Sequence, residues 1–244
     1  MNLDDSLLRE VAAGATSRLD LWMKWLRAAS VRSVLEVGVW KGDFARQMLQ
    51  ECEAIERYYL LDPWAHLPDW NKPLNVEREA FDRAYEEAMQ KTAFASAKIV
   101  VLRGRTKDVI GSIPDESLDF AYIDGDHTLR GITIDLIKVL PKIKEGGFIG
   151  GDDFARDPWQ HSVRFEPTLV CPFGVFFAEA MNLPMMALPF DQFLMQKRSN
   201  AGFSFTDTTG DYGSLSLNKL SLGWTNIRPL WWAKRALKKA GLVR

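Results

Sequence analysis

Two acidic clusters 28 positions apart constrain this chain more than any other feature: Asp124-Gly125-Asp126-His127 and Asp152-Asp153. Each follows a short apolar run, Leu118 to Ile123 and Phe148 to Gly150, that reads as a buried strand. Carboxylates pushed out at the end of a strand usually serve a ligand, because in open α/β sheets ligands collect beyond the carboxyl ends of the strands. Two neighbouring strands ending this way can hold a hard divalent cation. Asp oxygens suit Mg²⁺, and water or substrate oxygens complete its shell.

The remaining periodicity sets the frame around those ends. Val34 to Gly38, Tyr58 to Leu61 and Ile99 to Leu102 read as strands, followed by helices over Asp43 to Cys52, Glu77 to Lys91 and Lys107 to Ile113. A helix over Ile132 to Ile143, ended by Gly146-Gly147, leads into the Phe148 strand. Phe173 to Met181 then reads as a helix, with Met185 to Leu188 and Gln192 to Lys197 as two closing strands. This alternation predicts an α/β, Rossmann-like, doubly wound sheet of seven strands, mainly parallel, with an antiparallel closing strand. Leu7, Leu8, Val11, Leu19, Leu21, Trp22, Trp25 and Leu26 fall at helical spacing, so two N-terminal helices are expected to cap one face. The chain divides into a cap over 1–30, a central domain over 31–198 and a C-terminal extension over 199–244.

Composition narrows the setting. A length of 244 residues with 47% hydrophobic residues fills the core of one large domain. The apolar runs fall short of the roughly 20 residues a membrane span needs, and Asp4 and Asp5 spoil the basic start of a signal peptide. A cytoplasmic location is expected. Cys52 and Cys171 are isolated, which supports neither a disulfide framework nor a thiolate zinc site. Seven basic residues and no acid follow Asp211, so a net charge of −1 conceals −8 over residues 1–211. From Arg228 to Arg244, Leu230, Ala233, Leu237 and Ala240 share one side of a helical pattern that begins with Trp231-Trp232, as in helices that lie on an anionic membrane or dock on a partner. Packing against the same chain is the plainer reading of that tail.

Three consecutive strand ends outline a nucleoside pocket. The first turn is Glu36-Val37-Gly38-Val39-Trp40-Lys41-Gly42, whose glycines let backbone approach a ligand. It lacks the third glycine of the dinucleotide fingerprint. Asp62 ends the second strand, placed to accept hydrogen bonds from ribose hydroxyls, and Gly104-Arg105-Thr106 forms a polar turn after the third. With these residues the chain resembles the class I S-adenosylmethionine-dependent methyltransferases. More narrowly, from about Val31 to Arg198 it resembles their metal-dependent small-molecule O-methyltransferases, represented by catechol O-methyltransferase and the macrocin sugar O-methyltransferases.

The resemblance assigns roles. It implies S-adenosylmethionine held by Glu36, Gly38, Trp40, Gly42, Asp62, Arg105, Thr106 and Asp124, with Mg²⁺ held by Asp124, Asp152 and Asp153. Two residues compete as the base for the acceptor hydroxyl. His127 stands where the catechol enzymes carry a catalytic Lys, with a near-neutral intrinsic pKa that favours it. Asp126 matches an acid of the sugar-modifying relatives. The implied reaction is O-methylation of a small hydroxylated acceptor, a sugar or glycosylated compound. The alternatives are a metal-independent class I methyltransferase and a non-catalytic nucleoside-binding protein. Nucleic acid is not an expected partner, since the core is acidic and no Asn/Asp-Pro-Pro-aromatic motif is present; homo-oligomer formation stays open. Trp64, Trp70 and Trp159, with His66 and His161, lie in long loops that either shape an acceptor pocket or simply pack.

Overall fold

The computed structural model describes residues 6–162 and 164–221. Among them, eight strands form one sheet: β1 (Ser33–Val37), β2 (Arg57–Asp62), β3 (Ile99–Arg103), β4 (Leu118–Ile123), β5 (Ile143–Gly151), β6 (Pro184–Leu188), β7 (Gln192–Gln196) and β8 (Ser204–Asp207). Their order is β3-β2-β1-β4-β5-β7-β6-β8. Only β7 runs antiparallel to its neighbours. The expected class is therefore present with one strand more. The antiparallel strand is enclosed between β5 and β6, and β8 continues the sheet past residue 198 by pairing with β6. The winding reverses between β1 and β4, so the β1 turn and the first acidic cluster lie side by side.

Both faces of the sheet are covered, and each has its own apolar core. On one face lie α1 (Ser6–Ala13), α2 (Arg18–Ala28), α3 (Asp43–Glu51) and α4 (Arg78–Thr92); on the other lie α5 (Thr106–Val109), α6 (Leu129–Val139), α7 (Val170–Ala180) and α8 (Leu217–Ser221). The N-terminal helices do cap the sheet. Ser17 starts α2 by accepting the Asp20 N–H at 3.2 Å, a standard N-cap, and two turns carry Trp22 and Trp25 onto the strands. Trp22 packs 5.2 Å from Phe120 and 5.4 Å from Tyr122, and Trp25 packs 5.0 Å from Phe148. Both indoles are buried, each contributing roughly 3 kcal/mol of hydrophobic stabilisation. Strand β5 makes room for the cap at Gly150, where a Cβ would stand 2.3 Å from the Trp22 ring.

Several expected boundaries move, among them Phe173 to Met181, which is Val170–Ala180, and Lys107 to Ile113, whose α-helical part is Thr106–Val109. Helix α6 begins at Leu129, three residues before the expected start, because Thr128 caps it by accepting the Gly131 N–H at 3.1 Å. It ends at Val139, and Ile143 already belongs to β5. Gly146-Gly147 therefore does not terminate the helix; both glycines sit inside β5, where the register against β4 shifts between Leu118 and Phe120. Two glycines in a strand relax the pleat as readily as they stop a helix. Cys52 and Cys171 are buried free thiols. No helix among the described residues is long and apolar enough to cross a membrane. The basic segment 228–244 lies outside the described residues.

Candidate active site

A cavity of about 520 Å³ opens over the carboxyl ends of β1 to β5, a volume in the range of small-ligand sites. It is lined on one side by Glu36, Gly38, Trp40, Asp62, Arg105 and Thr106, and on the other by Arg18, Asp124, Asp126, His127 and Asp153. The catalytic, cofactor and metal residues singled out from the sequence thus line one cavity, except Asp152 and Gly42, the latter starting α3 and packing against Ala88 of α4.

The first side is organised by backbone. Gly38 has φ 87°, and a Cβ there would come within 2.1 Å of the Asp124 carbonyl oxygen. Only glycine allows the β1 turn to press against the end of β4. Asp62 is nearly buried, and both its oxygens are engaged. Oδ2 accepts the Val39 and Trp40 N–H groups at 2.9 Å, and Oδ1 accepts that of Trp64 at 2.6 Å. The acid expected to meet ribose hydroxyls also pins the glycine turn from β2. Burial raises its pKa, partly offset by those three donors. Glu36 is buried as well, accepts the Tyr58 hydroxyl at 2.7 Å, and is pushed far above the usual carboxylate range by desolvation.

Beyond β3 the expected residues separate. Thr106 is buried and its side chain favours the ionised form of Asp135, an α6 acid that lines the cavity and that sequence reading passed over. Desolvation pushes Asp135 up to about 7. A clue existed, since an acid among the buried Ile132, Leu136 and Val139 of one helix face is unusual. Arg105 turns to the rim and forms two hydrogen bonds with Asp69, at 3.0 and 3.1 Å. Arg130 reaches the same Asp69 from α6 at 3.1 Å.

The acidic side is held by charge. Asp124, His127 and Asp153 each offer a ligand atom within 4.8 Å of the others. His127 Nδ1 is hydrogen-bonded to Asp153 Oδ2, and Nε2 stands 3.4 Å from Asp124 Oδ1, buried and without a well-formed hydrogen bond. Burial alone would lower the imidazole pKa. The two carboxylates outweigh it and push His127 up to about 10, while His127 holds Asp153 below its usual value despite burial. Asp126 spends Oδ1 on the Thr128 N–H and the Trp70 indole, both at 3.0 Å.

Asp152 does not join this set. Successive residues leaving a strand point to opposite sides, and Asp153 adopts φ 57°. Asp152 Oδ2 therefore meets Arg18, and Oδ1 accepts the Gln192 amide at 2.6 Å. Gln192 is fully buried and also accepts Trp22 Nε1 at 2.7 Å and the Tyr122 hydroxyl at 3.0 Å. Neither Arg18 nor Gln192 carries a local sequence signal, because their partners are more than a hundred and 40 positions away.

Two loops roof the cavity. Trp70 lines it, and the buried Lys72 donates to Thr168 Oγ1 at 3.1 Å, tying the loop after β2 to the loop after β5. Trp64 packs instead: its indole donates to the Trp40 carbonyl at 2.7 Å and meets Tyr85 edge-on. Trp159 is half-buried outside the cavity lining, His66 is exposed, and His161 is exposed at the cavity edge.

Strand order, glycine turn and acid-lined cavity together define the class I methyltransferase fold. Residues 35–154 match the family model described as a methyltransferase domain. That central stretch is a methyltransferase domain, carried on a fold of the class I S-adenosylmethionine-dependent kind. Similar solved structures include an O-methyltransferase from Bacillus cereus in complex with SAH (18% identity, covering 79% of this chain and 90% of that one, TM-score 0.55). Others are the O-methyltransferase TomG from Streptomyces achromogenes in complex with SAM (15%, 80% and 90%, 0.52) and a caffeoyl-CoA O-methyltransferase candidate from Staphylococcus aureus (17%, 80% and 93%, 0.56). No curated protein matches the chain by sequence.

Proposed function

We propose that this enzyme transfers the methyl group of S-adenosylmethionine to a hydroxyl oxygen of a small metabolite, a sugar or glycosylated compound, with the help of a divalent cation such as Mg²⁺. The observation that carries this reading is the convergence of Asp124, His127 and Asp153 in the cavity that also contains the glycine turn. Two carboxylates and a buried imidazole nitrogen lacking a hydrogen bond suit an oxygen- and nitrogen-binding divalent ion, which would displace the proton that His127 otherwise keeps. Such an ion would bind the acceptor hydroxyl, lower its pKa and place the oxygen for attack on the sulfonium methyl.

The chain's own groups do the rest. Glu36, the Gly38 turn, Asp62 and Thr106 form the wall for the donor, and Trp70 with Lys72 closes the roof, which keeps water from the reacting atoms. The C–S bond breaks as the O–C bond forms, S-adenosylhomocysteine leaves, and the hydroxyl proton needs an acceptor. Geometry favours Asp126 over His127. Both His127 ring nitrogens face carboxylates, whereas both Asp126 hydrogen bonds use Oδ1 and leave Oδ2 for the acceptor.

A second reading is methyl transfer without a metal, favoured by Arg18, whose guanidinium already lies between Asp124 and Asp152. Turnover to S-adenosylhomocysteine across a panel of hydroxylated acceptors, with and without EDTA, separates the two. The cation-assisted reading expects EDTA to abolish turnover, Mg²⁺ to restore it, and Asp153→Asn to lower kcat by about 10²-fold, equivalent to about 2.7 kcal/mol. Turnover that survives both treatments selects the metal-free reading.

A further inference from the structure

The acids expected to surround one ion do not meet at one point: besides the left-handed backbone at Asp153, a side chain from the helical cap stands between two of them. Arg18 Nη1 lies 3.0 Å from Asp124 Oδ2 and in direct contact with Asp152 Oδ2. A guanidinium thus spans the gap between the ends of β4 and β5. Being charged at any working pH, it supplies one positive charge where two of the three expected ligands would otherwise close around a divalent ion.

We propose that Arg18 is a built-in competitor for the divalent cation: it holds Asp124 and Asp152 while no ion is bound, and must swing away before both can ligate one. The proposal rests on the cation-assisted reading above. Three features suit Arg18 to this role. It is the first residue of α2, whose start is fixed by the Ser17 cap, so displacement needs only a side-chain movement. The side chain is 38% exposed, which gives the released guanidinium water to enter. Asp152 is also braced from behind, because Oδ1 accepts the Gln192 amide at 2.6 Å and the Asp153 N–H at 2.8 Å. Losing Arg18 therefore frees Oδ2 without letting the carboxylate turn away. Apparent ion affinity is then the intrinsic affinity reduced by the fraction of molecules in which Arg18 is engaged.

The test is a Mn²⁺ titration of metal-stripped full-length protein followed by electron paramagnetic resonance, on the wild type, Arg18→Met, Arg18→Lys and Asp153→Asn. Arg18→Met keeps the aliphatic stem and removes the competitor, so it should bind Mn²⁺ at least about tenfold tighter. Arg18→Lys should fall between it and the wild type, and Asp153→Asn should lose binding. Thermal melts give a second readout, with Arg18→Met less stable than the wild type in EDTA and gaining more from Mn²⁺. Equal or weaker Mn²⁺ affinity in Arg18→Met, with the wild type still binding, overturns the role of Arg18 and leaves the cation-assisted reading standing. No Mn²⁺ uptake by either protein overturns both. Should Arg18→Met fail to fold, Arg18→Lys decides, and an affinity equal to the wild type's overturns the proposal.

Discussion

Where β1 and β2 end, the cavity wall is made of backbone held by close contact and by one buried carboxylate: Gly38 presses on the Asp124 carbonyl, and Asp62 collects three N–H groups. Where β4 and β5 end, it is made of side chains that hold one another, in the sequence Gln192, Asp152, Arg18, Asp124, His127, Asp153. The first wall has a shape set by backbone packed around one buried side chain. The second has a charge pattern that can rearrange without moving a strand. Under the proposed function, the fixed wall would hold the donor and the adjustable acid cluster would handle the acceptor and its proton.

Substitutions can break that contrast, and the largest effect should come from the backbone wall. Gly38→Ala puts a methyl group 2.1 Å from a carbonyl oxygen at φ 87°, so strain and overpacking together should cost about 3 kcal/mol or more. Denaturant unfolding and calorimetric binding of S-adenosylhomocysteine would register it; near wild-type values in both would remove the claim that this wall is fixed by shape.

Asp135, between the two walls, gives a middle-sized effect that depends on pH. Its folded pKa of about 7 exceeds the unfolded value, so the native state keeps a proton that the unfolded chain has released. Stability is unaffected by this group below about pH 4, falls as pH rises towards about 7, and then levels, by a few kcal/mol in all. Asp135→Asn should remove that loss, so its stability relative to the wild type should grow from pH 4 to 7 in urea melts. Parallel curves would show that the carboxyl ionises freely in the folded protein.

The smallest effect belongs to the rim. Asp69→Ala severs the side-chain ties to Arg105 and Arg130 and leaves Arg130 its bond to the residue 69 carbonyl, and all three side chains are at least a third exposed, where such pairs are worth about 1 kcal/mol or less. A rise in KM of two- to fivefold with kcat unchanged is expected in steady-state assays; a large fall in kcat would move Asp69 from the roof into the chemistry.

What the sequence disclosed follows the same division. The strand ends and the glycine turn were legible because they depend on local order: apolar runs, a turn residue, an acid at a fixed place. Asp124, Asp126, His127 and Asp153 were found for that reason, and they do share a cavity. Side-chain direction was not legible. The divergence of Asp152 from Asp153 depends on a left-handed backbone at Asp153 and on Gln192, a polar residue heading an apolar strand and meeting its partners only through sheet order. Arg18 lies 106 positions before Asp124 and looks like any charge at a helix start. The eighth strand escaped notice because Ser204–Asp207 is four residues long and half-exposed, with too few positions to show alternation.

The fit of Trp22 against Gly150 has a practical side for anyone recombining this enzyme with its relatives. A chimera that imports a foreign N-terminal segment with a small residue at position 22 would open an indole-sized hole over the middle strands and strand the Gln192 amide oxygen with one donor fewer. One that keeps Trp22 but inherits a larger residue at 150 would not close at all. The two positions have to be exchanged together, and Arg18 travels on the same helix, so grafting the cap also transplants the charge that faces the acids.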